Sequence, residues 1–276
     1  MTPGQIALSI SSIALVGVLY FFVPTTAKKE VKPSTEAAVT KSIEHSAFDL
    51  AAYKTAKTSS LPEDIQSQVK ELEKETSSKE ALLQLNELYI QNKLPLLACE
   101  TIKAIAENSG SDADWNKAGD AYMAVSMIEE KDAALAHYAM EASISAYKKA
   151  SEINPENIDY KISLASAIME LGEEVMQGVQ ILLGIIEKNP DHIPANLILG
   201  RYGIISGQYD KAIQRLEKVV KLDPTNTEAY FYLAEAYNGI GRKQDAIETF
   251  EQCKKLVNDP GFSAEIDNYI QKIKNS

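Results

Sequence analysis

The prolines in the second half of the chain recur at nearly constant spacing, and this period constrains the fold more than any other feature. Pro155, Pro190, Pro224 and Pro260 are separated by 35, 34 and 36 residues. A period of about 34 residues accommodates two antiparallel helices with their turns, and one such pair cannot bury its own apolar face. The sequence therefore predicts an all-α array in which helix pairs stack on one another.

The residues within each period follow a known pattern, and the chain resembles the tetratricopeptide repeat (TPR) family. That pattern places large residues at positions 4, 11 and 24 and small ones at 8, 20 and 27 of each unit. The last unit matches best, with Tyr230, Leu233, Ala234, Tyr237, Ala246, Phe250 and Cys253 at the expected helix positions. In the preceding unit, Asn196 and Gly203 depart from the pattern. The unit that begins near 112 also matches well, whereas those over 79–110 and 158–190 match less closely.

One unit is longer than the others. Counted from Asp112, its proline is expected at 143 and occurs at 155, so 12 residues are inserted. Nothing between Tyr122 and Tyr147 breaks a helix, so we expect both helices to lengthen by about six residues, with the turn near 129–132. Met123, Met127 and Met140 lie on this hairpin and could form an adaptable binding ridge. We favour the alternative, in which the extra turns pack against the helices that precede the array.

An uncharged apolar segment lies at the amino end. Residues 6–23 contain no charged side chain, and the first one in the chain is Lys28. As a helix this segment is about 27 Å long, close to the thickness of the hydrocarbon core of a bilayer. It predicts an uncleaved anchor in a single-pass protein of the cell membrane, and a cleavable signal peptide is the alternative. The lysines that follow favour a cytoplasmic array, with a periplasmic or other extracytoplasmic array also open. Oligomerisation through Ala7 and Ser11 stays open too.

The remaining segments connect the anchor to the array and close its ends. We predict a transmembrane anchor over 1–24, a linker with an amphipathic helix over 25–60 and an N-capping helix over 61–78. The TPR array of about five units then covers 79–260, and a C-capping helix covers 261–276. The linker's amphipathic stripe consists of Val39, Ile43, Ala47 and Leu50. Capping boxes that begin at Ser60, Ser77 and Thr225 predict three helix starts.

The composition argues against several classes of function. The formal net charge is −11, whereas a nucleic-acid-binding protein needs a concentrated basic face. Cys99 and Cys253 are too far apart for a disulfide framework, and the three histidines form no ligand cluster. Phosphate-loop, zinc-protease and serine-hydrolase motifs do not occur. We therefore predict no cofactor, no metal site, no nucleic-acid partner and no enzymatic activity.

The resemblance implies where a partner would bind. In TPR arrays the first helices line a concave groove, and positions 2, 5, 9, 12 and 13 face into it. Arg201 stands alone among several acids, which does not match the basic clamp by which some members hold a carboxylate. The predicted groove residues are Asp159, Ile162, Met169, Leu197, Arg201, Ile204, Ile205, Glu228, Phe231, Glu235 and Asn238, with Ser166, Asn116, Asp120 and Met123 further back.

These groove residues are a mixture of apolar and acidic side chains. They favour a helix or extended peptide that is apolar and carries basic residues. We therefore interpret the chain as a membrane-anchored scaffold or adaptor that recruits a protein partner. A chaperone-like holdase that assists export or the assembly of envelope complexes is the alternative, and a solvated, unoccupied surface also stays open.

Overall fold

The computed structural model describes residues 48–128, 132–257 and 259–275, and it shows no β-strand within these ranges. The described residues belong to one compact unit, His45–Ser276. The predicted transmembrane span at 6–23 and most of the stripe at 39–50 lie outside the described residues. Among the helices of the described part, none has the length and apolar character needed to cross a bilayer.

The described chain folds into helical hairpins that stack in chain order. The two helices of each hairpin contact each other, and the second helix contacts the first helix of the next hairpin, which confirms the predicted all-α array. The helices are α1 (Leu50–Ser59), α2 (Glu63–Leu72), α3 (Lys79–Gln91), α4 (Pro95–Ser109), α5 (Asp112–Ile128), α6 (Ala133–Ile153), α7 (Ile158–Leu171), α8 (Val175–Lys188), α9 (Ile193–Ile205), α10 (Tyr209–Leu222), α11 (Thr227–Gly239), α12 (Lys243–Val257) and α13 (Pro260–Asn275), with a 3₁₀ turn at Glu73–Glu75.

The final hairpin, α11–α12, shows how the repeat positions produce this packing. Ala234 and Ala246 are fully buried where the two helices approach each other, and Phe250 fills the space beside them. Cys253 is also buried, and its thiol donates to the carbonyl oxygen of Thr227 at 3.2 Å. Small residues at the crossing and one large residue beside it give close packing without a void. The predicted packing role of Cys253 is therefore confirmed.

The helix starts differ by one residue from the predicted capping boxes. Asn226, rather than Thr225, caps α11, since its Oδ1 accepts from the backbone N–H of Ala229 at 2.9 Å. Ser78, rather than Ser77, caps α3 in the same way. The capping box predicted from Ser60 is wrong, because Pro62 precedes α2 and no side chain caps it. Asn is a stronger N-cap than Thr, so the local preference at 225–226 explains that shift.

The long hairpin is confirmed, although its two helices lengthen unequally. Helix α5 has 17 residues and α6 has 21, whereas the later hairpins have first helices of 13 or 14 residues and second helices of 14 or 15. The Phe48 ring lies 5.0 Å from that of Tyr138 on α6 and 5.4 Å from that of Tyr53 on α1. The added turns therefore pack against the helix that precedes the array, as we favoured.

Glycines bring the helices of the middle hairpins close together. A methyl group at Gly178 of α8 would lie 2.4 Å from the side chain of Met169 and 2.6 Å from the carbonyl oxygen of Ala165. Met169 fills this space and is 2% exposed. The placement of Met169 in the groove is therefore wrong: the missing side chain at Gly178 draws it into the core between α7 and α8.

Candidate peptide-binding surface

The first helices of the last three hairpins form the inner layer of the array. Helix α9 contacts both α7 and α11, its counterparts in the neighbouring hairpins, in addition to its own partner. Helices on the inner side of a curved stack lie closer together than those on the outer side, so these contacts identify α7, α9 and α11 as the concave layer. The candidate surface comprises the side chains that these three helices and α13 present there.

An apolar floor runs across α9 and α11. Leu197 and Ile204 of α9 and Phe231 of α11 are half-buried and pack against one shared core cluster. Ile205 follows at the end of α9 and is 70% exposed, which is unusual for so large an aliphatic side chain. The structure therefore brings Leu197, Ile204 and Phe231 into one neighbourhood, and Ile205 follows Ile204 at the exposed end of α9.

Arg201 connects this floor to α7. Its Nη2 lies 3.2 Å from Oε2 of Glu170, and its guanidinium lies 5.2 Å from the centre of the Tyr202 ring. The hydroxyl of Tyr202 donates to the same Glu170 oxygen at 3.3 Å. Because its charge is already engaged within the array, Arg201 is poorly placed to hold a partner's carboxylate, in agreement with the prediction.

Two carboxylates on α11 are enclosed by protein. Burial raises the pKa of Glu228, and the positive charge of Arg201 partly offsets this. Burial alone raises the pKa of Glu235 to about 7. Among the described residues, Glu235 forms no hydrogen bond or ion pair. The surface therefore contains one carboxylate that is balanced by a nearby cation and one that is not.

The C-terminal helix contributes an aromatic side chain to the same region. The Tyr269 ring of α13 meets the Phe231 ring edge to face, with their centres 5.7 Å apart, and stacks on the Phe250 ring at the same separation. The charge of Glu235 also contributes to the raised pKa of the Tyr269 hydroxyl, which places the two groups near each other. Helix α13 thus borders the candidate surface as well as covering the end of the array.

The other predicted groove residues lie at its margins. Asp159 is exposed on the first turn of α7, and Ile162 on the same helix is half-buried beside the core. Asn238 is exposed at the end of α11, and Ser166 is half-buried on α7. Met169 is in the core, as described above. For the other four residues, a role in binding stays a prediction.

The groove residues of the long hairpin are already bonded or packed. Asp120 accepts a hydrogen bond from the Tyr147 hydroxyl at 2.7 Å and one from the Asn116 amide at 3.2 Å. Met123 packs beside Met140 and Tyr147. This part of the inner layer is therefore occupied by its own internal contacts.

Three residues of the surface were missed by the sequence reasoning. Glu170 occupies position 13 of its unit, and applying the register used for the next unit would have identified it. Tyr202 lies beside Arg201 at a position that the family pattern does not assign to the groove. Tyr269 belongs to the capping helix, outside any repeat, so the period carried no information about it.

The described residues contain neither a cluster of metal ligands nor a reactive thiol. Within 48–128, 132–257 and 259–275, no three His, Cys, Asp or Glu side chains are grouped so that they could hold a metal ion. Burial raises the pKa of the Cys99 thiol to about 12 and that of Cys253 to about 11. Both thiols are therefore protonated at neutral pH and buried, which does not suit nucleophilic chemistry.

Comparison with known proteins identifies the repeat. Residues 204–260 match the family profile described as tetratricopeptide repeat. A segment of 136 residues is 29% identical to Protein CTR9 homolog of Arabidopsis thaliana, and the match covers 45% of this chain and 12% of that protein. The chain therefore spans a small part of the length of this relative.

Two solved structures share the fold. A tetratricopeptide repeat protein from Parabacteroides merdae superposes with a TM-score of 0.54 at 17% identity, over 71% of this chain and 73% of that one. A thermophilic TPR protein from Thermus thermophilus superposes with a TM-score of 0.51 at 16% identity, over 72% of this chain and 100% of that one. The predicted TPR-type α-solenoid is thus confirmed.

Proposed function

We propose that the chain is a membrane-anchored scaffold or adaptor that binds an apolar segment with basic residues from a protein partner, on the surface formed by α7, α9 and α11. The observation that carries this proposal is the apolar floor of Leu197, Ile204 and Phe231, with the unbalanced carboxylate of Glu235 one helical turn from Phe231 on α11. A fold that supports protein–protein interaction and a net charge of −11 agree with it.

The membrane anchor of the proposal rests on the sequence of residues 6–23. Alkaline carbonate extraction of membranes should leave the intact chain in the pellet, and deletion of these residues should release it. Digestion of intact cells with an external protease would then determine which side the array occupies. The flanking lysines lead us to expect protection from the protease, as for a cytoplasmic array.

The binding surface can be tested by site-specific photo-crosslinking in native membranes. A photoreactive residue in place of Ile205 should form an adduct with one or few proteins, whereas the same group in place of Met176 should not. Met176 is a matched control, because it is 65% exposed but lies on the second helix of a hairpin, α8. Equal adducts at both positions would contradict the proposal.

Once identified by mass spectrometry, the partner can be titrated directly. Ile205→Glu should weaken its binding about tenfold or more, because a charge then faces an apolar segment. Met176→Glu should leave the affinity unchanged. Equal binding of many unrelated unfolded polypeptides would instead indicate the chaperone-like holdase.

A further inference from the structure

We infer that Glu235, Phe231 and Tyr269 together form a docking site for one lysine or arginine side chain of the partner, with helix α13 as one wall of that site. The inference rests on the proposed function and specifies the partner's chemistry. It also gives the C-terminal helix a part in recognition beyond covering the last hairpin.

The geometry places an acid beside aromatic rings. Phe231 and Glu235 are four residues apart on α11, so their side chains lie on the same face of that helix, one turn apart. Tyr269 approaches Phe231 from α13, and 38% of its surface is exposed. Aromatic faces attract organic cations, and a lysine or arginine stem packs well against apolar surface while its charged end reaches a carboxylate.

No cation of the described chain compensates Glu235. On the neighbouring inner helix, Arg201 pairs with Glu170 and acts on Glu228. On α13, the ammonium of Lys272 lies 5.6 Å from the centre of the Tyr269 ring, and the other charged group close to that tyrosine is Glu265, an acid. The burial that raises the pKa of Glu235 therefore acts without opposition from a neighbouring charge.

A basic side chain of the partner would compensate the charge of the Glu235 carboxylate. An opposite charge beside a buried carboxylate favours its ionised form, so the bound side chain and the carboxylate stabilise each other. A metal ion is a poor alternative, because calcium needs six or more oxygen ligands and magnesium a near-ideal octahedron of them. A single carboxylate framed by aromatic rings suits an organic cation instead.

The test selects peptides from a random 12-residue display library on the purified full chain in detergent. Wild type should enrich peptides that combine apolar residues with a lysine or arginine, and Glu235→Gln should enrich apolar peptides without that requirement. Glu187→Gln is the matched control, since Glu187 is exposed on α8 and lies away from the inner layer. Circular dichroism should show that both variants are folded.

The selected peptides then give a quantitative readout. Replacing the peptide's basic residue by norleucine should weaken binding to wild type about tenfold and to Glu235→Gln less than twofold. The advantage of the basic peptide on wild type should shrink between pH 8 and pH 5.5, where Glu235 becomes protonated.

The possible outcomes separate the two proposals. An undiminished basic preference in Glu235→Gln, or no basic preference in wild type, overturns the inference. In either case, peptides whose binding is lost in Ile205→Glu still support the proposed surface. Peptides insensitive to Ile205→Glu contradict the proposed function, and enrichment of no peptide overturns both.

Discussion

The first two hairpins, α3–α6, and the next two, α7–α10, are built from the same repeat but are held together differently. In α3–α6, tyrosine hydroxyls donate to carboxylates of neighbouring helices. The four bonds are Tyr89 to Glu73 at 2.9 Å, Tyr122 to Glu100 at 2.7 Å, Tyr138 to Glu100 at 2.9 Å and Tyr147 to Asp120 at 2.7 Å. In α7–α10, a longer bond of this kind joins Tyr202 to Glu170 at 3.3 Å. Glycines there allow close apolar contact, with Gly178 against Met169 and Gly200 against Leu216, as Gly119 does against the Tyr147 ring in the long hairpin.

Part of this difference lies at repeat position 11. Tyrosines occupy it in α3 and α5 and donate to Glu73 and Glu100, whereas Ile168 and Gly203 occupy it in α7 and α9. Tyr138 and Tyr147 supply the other two bonds from α6.

The acids at repeat position 9 also differ between the two halves of the array. Asp120 and Glu235 occupy it in α5 and α11, and burial raises the pKa of both carboxyls. The hydrogen bond from Tyr147 lowers the pKa of Asp120 again, whereas Glu235 receives no such bond among the described residues. The same repeat position is therefore hydrogen-bonded to a tyrosine in one hairpin and not in the other.

The largest expected effect tests the close apolar packing of α7–α8. Gly178→Ala should lower the free energy of unfolding by about 3 kcal/mol, because the added methyl group meets the backbone carbonyl oxygen of Ala165, which cannot move aside as a side chain could. Gly184→Ala is the matched control on the same helix. No atom lies within 4 Å of its added methyl group, so it should stabilise by about 0.5–1 kcal/mol.

Thermal and urea unfolding of the full chain, followed by circular dichroism, would measure both variants. If Gly178→Ala were as stable as Gly184→Ala, the close approach of α7 and α8 could not be what holds this hairpin together.

The next effect tests the tyrosine–carboxylate bonds. Tyr147→Phe should destabilise the protein by about 2 kcal/mol at pH 8, because it removes a hydrogen bond from a buried hydroxyl to a charged acceptor. Tyr269→Phe should cost less than about 0.5 kcal/mol, since the structure gives that hydroxyl no hydrogen bond among the described residues. Equal losses in the two variants would mean that the hydrogen bond to Asp120 does not hold the long hairpin together.

A smaller effect, of opposite sign, tests the enclosed acid. The pKa of Glu235 is raised from 4.5 to about 7 on folding, so its contribution to stability is present below pH 4.5 and is lost as the pH rises to 7. Glu235→Gln removes this loss and should stabilise the protein by about 1–2 kcal/mol at pH 8, with little change at pH 4. Unfolding measured from pH 4 to 8 would show this, and Glu187→Gln should follow wild type throughout.

The fold was predictable from the sequence because each repeat has small residues where its helices cross and large residues beside them. The period, the buried Ala234, Ala246 and Phe250, and the turn of the long hairpin all follow from this pattern. Helix starts were less predictable, since Thr225 and Asn226 can both serve as N-cap and Asn is only moderately stronger than Thr in this role.

The candidate site was predictable in part. Family register located Arg201, Glu228 and Glu235 on the inner layer, but it could not show that Gly178 draws Met169 into the core. Nor could it place Tyr269, because contacts between a repeat and a segment outside the repeat carry no periodic signal.

The smallest expected effect tests the tyrosine–carboxylate bond of the last hairpin. Tyr237 in α11 also occupies position 11, and its hydroxyl donates to Glu217 at 2.7 Å, as short a bond as those of α5. Burial is the largest cause that raises its pKa, to about 12, while the guanidinium of Arg242, 4.3 Å from the ring centre, opposes the rise.

Tyr237→Phe should therefore cost about 0.5–1 kcal/mol, less than Tyr147→Phe, because the positive charge of Arg242 stays near Glu217 when the hydroxyl is removed. Unfolding in urea at pH 8 would compare the two variants. A loss as large as that of Tyr147→Phe would mean that tyrosine–carboxylate bonds are equally structural in both halves of the array. Glu235 would then differ from Asp120 only in lacking a hydrogen-bond donor to its own carboxylate.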